Sequence, residues 1–91
     1  MIEMKELLAL LPETRRKLLL FLCERRDEDR LRTIQHISEE VKLSFHTTRK
    51  IVYEFASLGL VRVYEVGRVK IVVPTEKLKE VCGVLEAELA Q

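Results

Sequence analysis

The run TIQHISEEVKLSFHTTRKIVYEFASLGLVRVYEVGRVKIVVP, residues 33–74, carries two helical periodicities in succession and then changes to alternation. Behind Thr33, a residue suited to a helix N-cap, Ile34, Ile37 and Val41 recur at the spacing of one helical face. Lys42 and Leu43 leave room only for a tight connection. Ser44 then provides a second N-cap, and Thr48, Ile51, Val52, Phe55 and Leu58 form the buried stripe of a longer helix, about 45–58. Gly59 stands where a helix ends by entering the left-handed region. From Leu60 to Val73 apolar and polar residues alternate around Val66-Gly67-Arg68, which reads as a β-hairpin. Val61, Val63, Val69, Ile71 and Val73 are expected on its inner face, with Arg62, Tyr64, Arg68 and Lys70 outside.

The flanks are helical. Apolar residues at 4, 7, 8 and 11 predict a short helix over 1–11, stopped by Pro12. Pro12 suits the first turn of a second helix, roughly 12–25, whose Leu18–Cys23 stretch is apolar on nearly every side and belongs at the centre of the core. Residues 26–32 are dominated by charge and read as a loop or frayed helix end. After Pro74, Thr75 caps a last helix over 75–91 with Leu78, Val81, Cys82, Leu85 and Leu89 on one stripe. The expectation is a single domain over 1–91, α+β and mostly helical.

The order helix, tight turn, longer helix, hairpin resembles the winged helix-turn-helix family. The residues carrying the resemblance are Ile34, Ile37, Ser38 and Val41, then Leu43 and Ser44, then Thr47, Thr48, Ile51, Val52, Phe55, Leu58, Gly59, Leu60 and Val61, then Gly67 and Arg68. It assigns 33–58 to the helix-turn-helix and 60–74 to the wing, with additional N- and C-terminal helices. It implies a dimeric, sequence-specific transcriptional regulator acting on double-stranded DNA. A winged helix serving as a protein–protein module in a transcription, replication or chromatin assembly is the alternative.

Small Ser38 lets the two helices approach closely. Opposite the buried stripe of the longer helix lie His46, Arg49, Lys50 and Tyr53. A helix of this length fits the major groove with its N-terminal residues nearest the base edges, so Ser44, Phe45, His46 and Thr47 lead. Arg49 suits a bidentate contact to guanine, and Lys50 and Tyr53 suit phosphates. Arg62, Arg68 and Lys70 give the hairpin a basic surface. In the family such a wing lies along the backbone or in the minor groove; charge of this kind also blunts an edge ribbon against aggregation. Arg15, Arg16 and Lys17 offer either phosphate contacts or partners for nearby carboxylates.

The chain holds 16 basic and 15 acidic residues, a formal net charge of +1, which excludes a polybasic nucleic-acid tail. The charge is unevenly placed: residues 44–74 carry five basic and two acidic side chains. No segment is long and apolar enough to span a membrane, and Glu3, Lys5 and Glu6 interrupt the first apolar stretch, so a cytoplasmic protein is expected. Paired carboxylates, a nucleophile–base set, a phosphate loop and metal-ligand spacing are all missing, which argues against an enzyme, a metal, a cofactor or a small-molecule ligand. With no Asn, two Gln and thirteen Glu, the composition is that of a thermophile. In that setting Cys23 and Cys82 are open either to a disulfide or to two buried thiols. Met4, Leu7, Leu8 and Leu11, with Leu78, Val81, Leu85 and Leu89, exceed what so small a core needs and are expected to form a homodimer interface.

Overall fold

The computed structural model describes residues 12–28 and 31–89, the side chains of 88 and 89 excepted. Its elements are α1 (Glu13–Glu24), β1 (Arg32–Thr33), α2 (Ile34–Val41), α3 (Phe45–Ser57), β2 (Val61–Val66), β3 (Val69–Pro74) and α4 (Glu76–Leu89). The expected helix over 1–11, with Met4, Leu7, Leu8 and Leu11, lies outside the described residues.

α1 runs through the centre of the core, burying Leu18, Leu19, Phe21, Leu22 and Cys23. Helices α2 and α3 begin and end as the sequence dictates. Thr33 Oγ1 accepts from the His36 amide at 3.1 Å, and Ser44 Oγ from that of Thr47 at 3.1 Å. Between them Lys42 adopts φ +60°, turning the chain within a residue, while the Leu43 amide donates to the Ser38 carbonyl at 3.0 Å. At the end of α3, Gly59 takes φ +80°. Its amide and that of Leu60 donate to the carbonyls of Ala56 and Phe55, both at 3.0 Å, the paired bonds of a Schellman motif.

Where α2 meets α3, Ser38 is buried and its hydroxyl donates to the Gln35 carbonyl at 2.7 Å. Thr48, fully buried on α3, is less well served. Its Oγ1 has no hydrogen-bond partner among the described residues. An unsatisfied buried hydroxyl costs about 1–3 kcal/mol. Thr48→Val, of the same shape, is therefore expected to stabilise the domain by about 1 kcal/mol, read as a higher midpoint in thermal or denaturant unfolding.

The sheet has the order β1-β3-β2, both pairings antiparallel. Two points differ from the sequence expectation. First, β1 lies in the charged stretch read as loop: Arg32 and Thr33 pair with Val72 and Ile71. Arg32 is buried, with its guanidinium on the carboxylates of Glu28 and Glu40 and 5.4 Å from the Phe21 ring. Secondly, the register of β3 is one residue out from the expected one. Val66 pairs with Val69, so the loop is Gly67-Arg68 alone, with Gly67 at φ +61°. Val61 and Val63 consequently share their face with Pro74, Val72 and Lys70. Val72 is the buried residue of β3, and Val69, Ile71 and Val73 lie on the opposite face. A three-residue loop would have given the expected set; the two-residue turn reverses every side chain of the strand.

α4 begins at Thr75, whose hydroxyl donates to the carbonyls of Gly59 and Leu60 and whose Oγ1 accepts from the Leu78 amide at 3.3 Å. Lys77 donates to the Leu58 carbonyl at 2.7 Å, closing the end of α3. Leu78, Cys82 and Leu85 are 0%, 0% and 1% exposed within the single chain. This corrects the interface assignment of Leu78 and Leu85: side chains already enclosed in their own core have no surface to give a partner. Val81 is half-buried, and the Leu89 side chain lies outside the described residues. Cys23 and Cys82, 59 residues apart, are joined as a disulfide with a Cα–Cα distance of 5.5 Å. The bond ties α4 to α1, beside the bidentate pair of Arg26 with Glu86.

Candidate nucleic-acid interface

Burying Thr48, Ile51, Val52 and Phe55 fixes the rotation of α3 and leaves His46, Arg49, Lys50, Tyr53, Glu54 and Ser57 along a shallow outer groove. His46, Arg49 and Lys50 are exposed and Tyr53 is half-buried. The Arg49 guanidinium lies 5.2 Å from the Tyr53 ring centre, close enough for a cation–π contact that keeps the arginine on the helix surface.

Lys70 does not point outward from the hairpin as expected. The register carries it to the helix-facing side, where Nζ donates to the Tyr53 hydroxyl and to Glu65, both at 3.2 Å. Those two hydrogen bonds, Tyr53 first, raise its pKa above the ordinary lysine value. The result is a link between wing and α3, with Tyr53 flanked by Arg49 and Lys70.

A second concavity lies beside the first. Phe45, 48% exposed at the start of α3, faces Arg68, Val69 and Lys70 of the wing across the opening turn of α2. Arg68 at the wing tip is thereby brought next to the helix-turn-helix. Arg62 is not. It lies on the other face of the hairpin, with Tyr64, Glu76 and Lys77 around a separate cleft. Ser44 and Thr47 are engaged with each other, hydroxyl to hydroxyl at 2.9 Å, as part of the cap.

Glu54 is the residue sequence reasoning passed over. It is the sole acidic residue of α3, and both its oxygens are taken by Arg15 of α1, at 2.6 and 2.7 Å. Arg15 thus has a carboxylate partner, though not the nearby ones considered from the sequence. The hydrogen bonds from Arg15, with a smaller pull from Lys50, hold the Glu54 carboxyl below the ordinary carboxylate range; Arg26 does the same to Glu86. Because both carboxyls are lowered on folding, their stabilisation is full above that range and is lost as pH falls through the lowered values. Arg49, Lys50, Arg62 and Arg68 make no ion pair among the described residues. No group of three metal-ligating side chains occurs among them either.

The succession of three helices and a hairpin gives this chain the same fold as several solved structures. AF1382 from Archaeoglobus fulgidus superposes with a TM-score of 0.77 at 20% identity, over 90% of each chain. NMB1585, described as a MarR family regulator from Neisseria meningitidis, gives 0.66 at 23% identity over 88% of this chain and 56% of its own. The heme sensor protein PefR from Streptococcus agalactiae, in complex with heme, gives 0.73 at 19% identity over 91% and 57%.

The chain has the winged helix fold. It spans nearly the whole of AF1382 and little more than half of NMB1585 and PefR. No protein-family model and no curated protein sequence matches it. In this winged helix α2 and α3 are the paired helices and β2–β3 the hairpin that follows them. The third strand, β1, anchors the wing to the start of α2. No helix among the described residues is long and apolar enough to cross a membrane.

Proposed function

We propose that this winged helix is a homodimeric, sequence-specific transcriptional regulator that binds double-stranded DNA with α3 in the major groove and the wing on the backbone or minor groove. The observation that carries the reading is the pair of cations on one exposed face, Arg49 and Lys50, which have no carboxylate partner among the described residues, with a third such cation, Arg68, at the adjoining wing tip. Cations without carboxylate partners in a near-neutral chain are free to displace counterions from DNA. Arg49 takes the base-reading role, since its planar fork matches the guanine edge; Lys50, Tyr53 and Lys70 take phosphates. Phe45 and His46, exposed at the start of the helix, face base edges or thymine methyls. Arg62, on the far face of the wing, is not part of this surface. Neighbours of the same fold support the role: one solved structure is the PcaV transcriptional regulator from Streptomyces coelicolor and another the MarR family regulator NMB1585.

Dimerisation places two α3 helices on successive major grooves, about 34 Å apart on a pseudo-palindromic site. With Leu78 and Leu85 enclosed in the core, the residues left for the interface are Met4, Leu7, Leu8 and Leu11 with Val81 and Leu89, joined on the outer side of α4 by Val84, which is 50% exposed.

The test is binding to mixed-sequence duplex DNA over a salt series, then to a site selected from random duplexes. Affinity is expected to fall steeply with salt, and the selected site to saturate at two chains. No binding at about 50 mM salt, where the phosphate term is strong, would reject the reading. It would favour a protein–protein module, for which the exposed Tyr64, Val66 and Val69 on the outer wing face offer an apolar surface.

A further inference from the structure

The outer groove of α3 contains one carboxylate. His46, Lys50, Glu54 and Ser57 follow one another down its edge, so Glu54 stands a turn beyond Lys50 and next to Tyr53. A bare carboxylate in a surface meant for phosphates cancels one of its cations. At about 0.1 M salt each phosphate neutralised is worth roughly tenfold in affinity, so the loss would be of that size.

Glu54 is not bare. Arg15, 39 residues earlier and on another helix, donates from Nε to Oε2 at 2.6 Å and from its terminal guanidinium nitrogen to Oε1 at 2.7 Å. This fork-to-fork pairing engages both oxygens and fixes the plane of the carboxylate, which a single ammonium would not do. Glu54 has no other hydrogen-bonded side-chain partner among the described residues, and Lys50, a helical turn away, is left unpaired. The pair also joins α1 to α3.

We propose that Arg15 is a positioning residue for nucleic-acid binding, which holds the Glu54 carboxylate against α1 and so leaves the exposed face of α3 uniformly cationic. The inference rests on the DNA-binding reading and extends it to α1. Arg15 acts through Glu54 and not by touching phosphate, because its guanidinium is already committed.

Four proteins test it on one mixed-sequence duplex at about 0.1 M salt: wild type, Arg15→Gln, Glu54→Gln and the double variant, each checked for an unchanged circular-dichroism spectrum. Arg15→Gln is expected to bind roughly tenfold more weakly than wild type, by the one-phosphate factor. Glu54→Gln should bind at least as well as wild type. The double variant should match Glu54→Gln, because with the carboxylate gone there is nothing for Arg15 to hold. Rescue of this kind is not produced by a purely structural ion pair, which stays broken in the double variant. Equal weakening by Arg15→Gln in both backgrounds would show direct phosphate contact and overturn the proposal; so would no weakening at all. If the wild type itself fails to bind DNA, the functional reading falls and takes this inference with it, whereas a binding wild type with additive variants rejects the inference alone. Should Arg15→Gln fail to fold, Glu54→Gln decides: tenfold weaker binding than wild type contradicts the masking role.

Discussion

Reduction of the Cys23–Cys82 disulfide is expected to lower stability by about 4 kcal/mol, the loop-closure value for a loop of roughly 60 residues. A domain of this length has a total of about 5–15 kcal/mol to lose. Tm should therefore drop by roughly 15–30 °C on the scaling for domains of this size. The measurement is thermal unfolding of the wild type with and without a thiol reductant, alongside Cys23→Ala/Cys82→Ala. Identical melts in the two conditions would mean that the sulfurs are unbonded in solution. The effect is large because of where the bond lies. α4 reaches the core through Leu78, Cys82 and Leu85, and the disulfide joins the middle of that stripe to the end of α1. Both cysteines are buried, at 4% and 0% exposure, so reduction requires the helix to open first.

The second large effect concerns binding. Arg49→Ala/Lys50→Ala is expected to weaken binding to the selected site on the order of a hundredfold at about 0.1 M salt, and to reduce the salt slope by about one, for the phosphate contact of Lys50. The two side chains are exposed, adjacent on the outer face of α3 and without carboxylate partners among the described residues, so their loss is expected to affect binding and leave the core intact. Melting of the double variant should accordingly be unchanged. The single variants should differ in kind. Lys50→Ala lowers affinity for all sequences alike, while Arg49→Ala also relaxes the preference for the selected site, because a bidentate guanine contact discriminates between bases. Lys79→Ala, which removes a cation paired with Glu76 on α4, is the control and should bind as wild type. Binding indifferent to both Arg49 and Lys50 would move the interface off α3.

Much of the fold was legible in the chain because its signals are local. Thr33, Ser44 and Thr75 cap the helices that follow them, Gly59 ends α3, and the 3.6-residue stripe of α3 sets which of its side chains face out. The same stripe placed His46, Arg49, Lys50 and Tyr53 together before any tertiary information. The faces of β3 are exchanged relative to the sequence expectation for a definite reason. Ile71, Val72 and Val73 are consecutive and all apolar, so alternation could not choose between registers. The length of the turn chose, and with it the fate of Lys70, which leans on Tyr53 instead of reaching outward. A two-residue strand such as β1 has no pattern of its own and exists only because β3 offers it an edge.

By itself, then, the sequence determined the succession of helices, the wing, and the basic outer face of α3, since caps, glycines and periodicity act over a few residues. Tertiary structure decided what depends on distant residues meeting. The stripe on α4 could have served a partner or its own core, and packing against α1 made it core. Cys23 and Cys82 were two thiols or one bond until the 5.5 Å between their Cα atoms put them within bridging range. Arg15 had several carboxylates to choose from, and helix packing gave it Glu54. In each case the side chain's chemistry was written in the chain, and its partner was chosen by the fold.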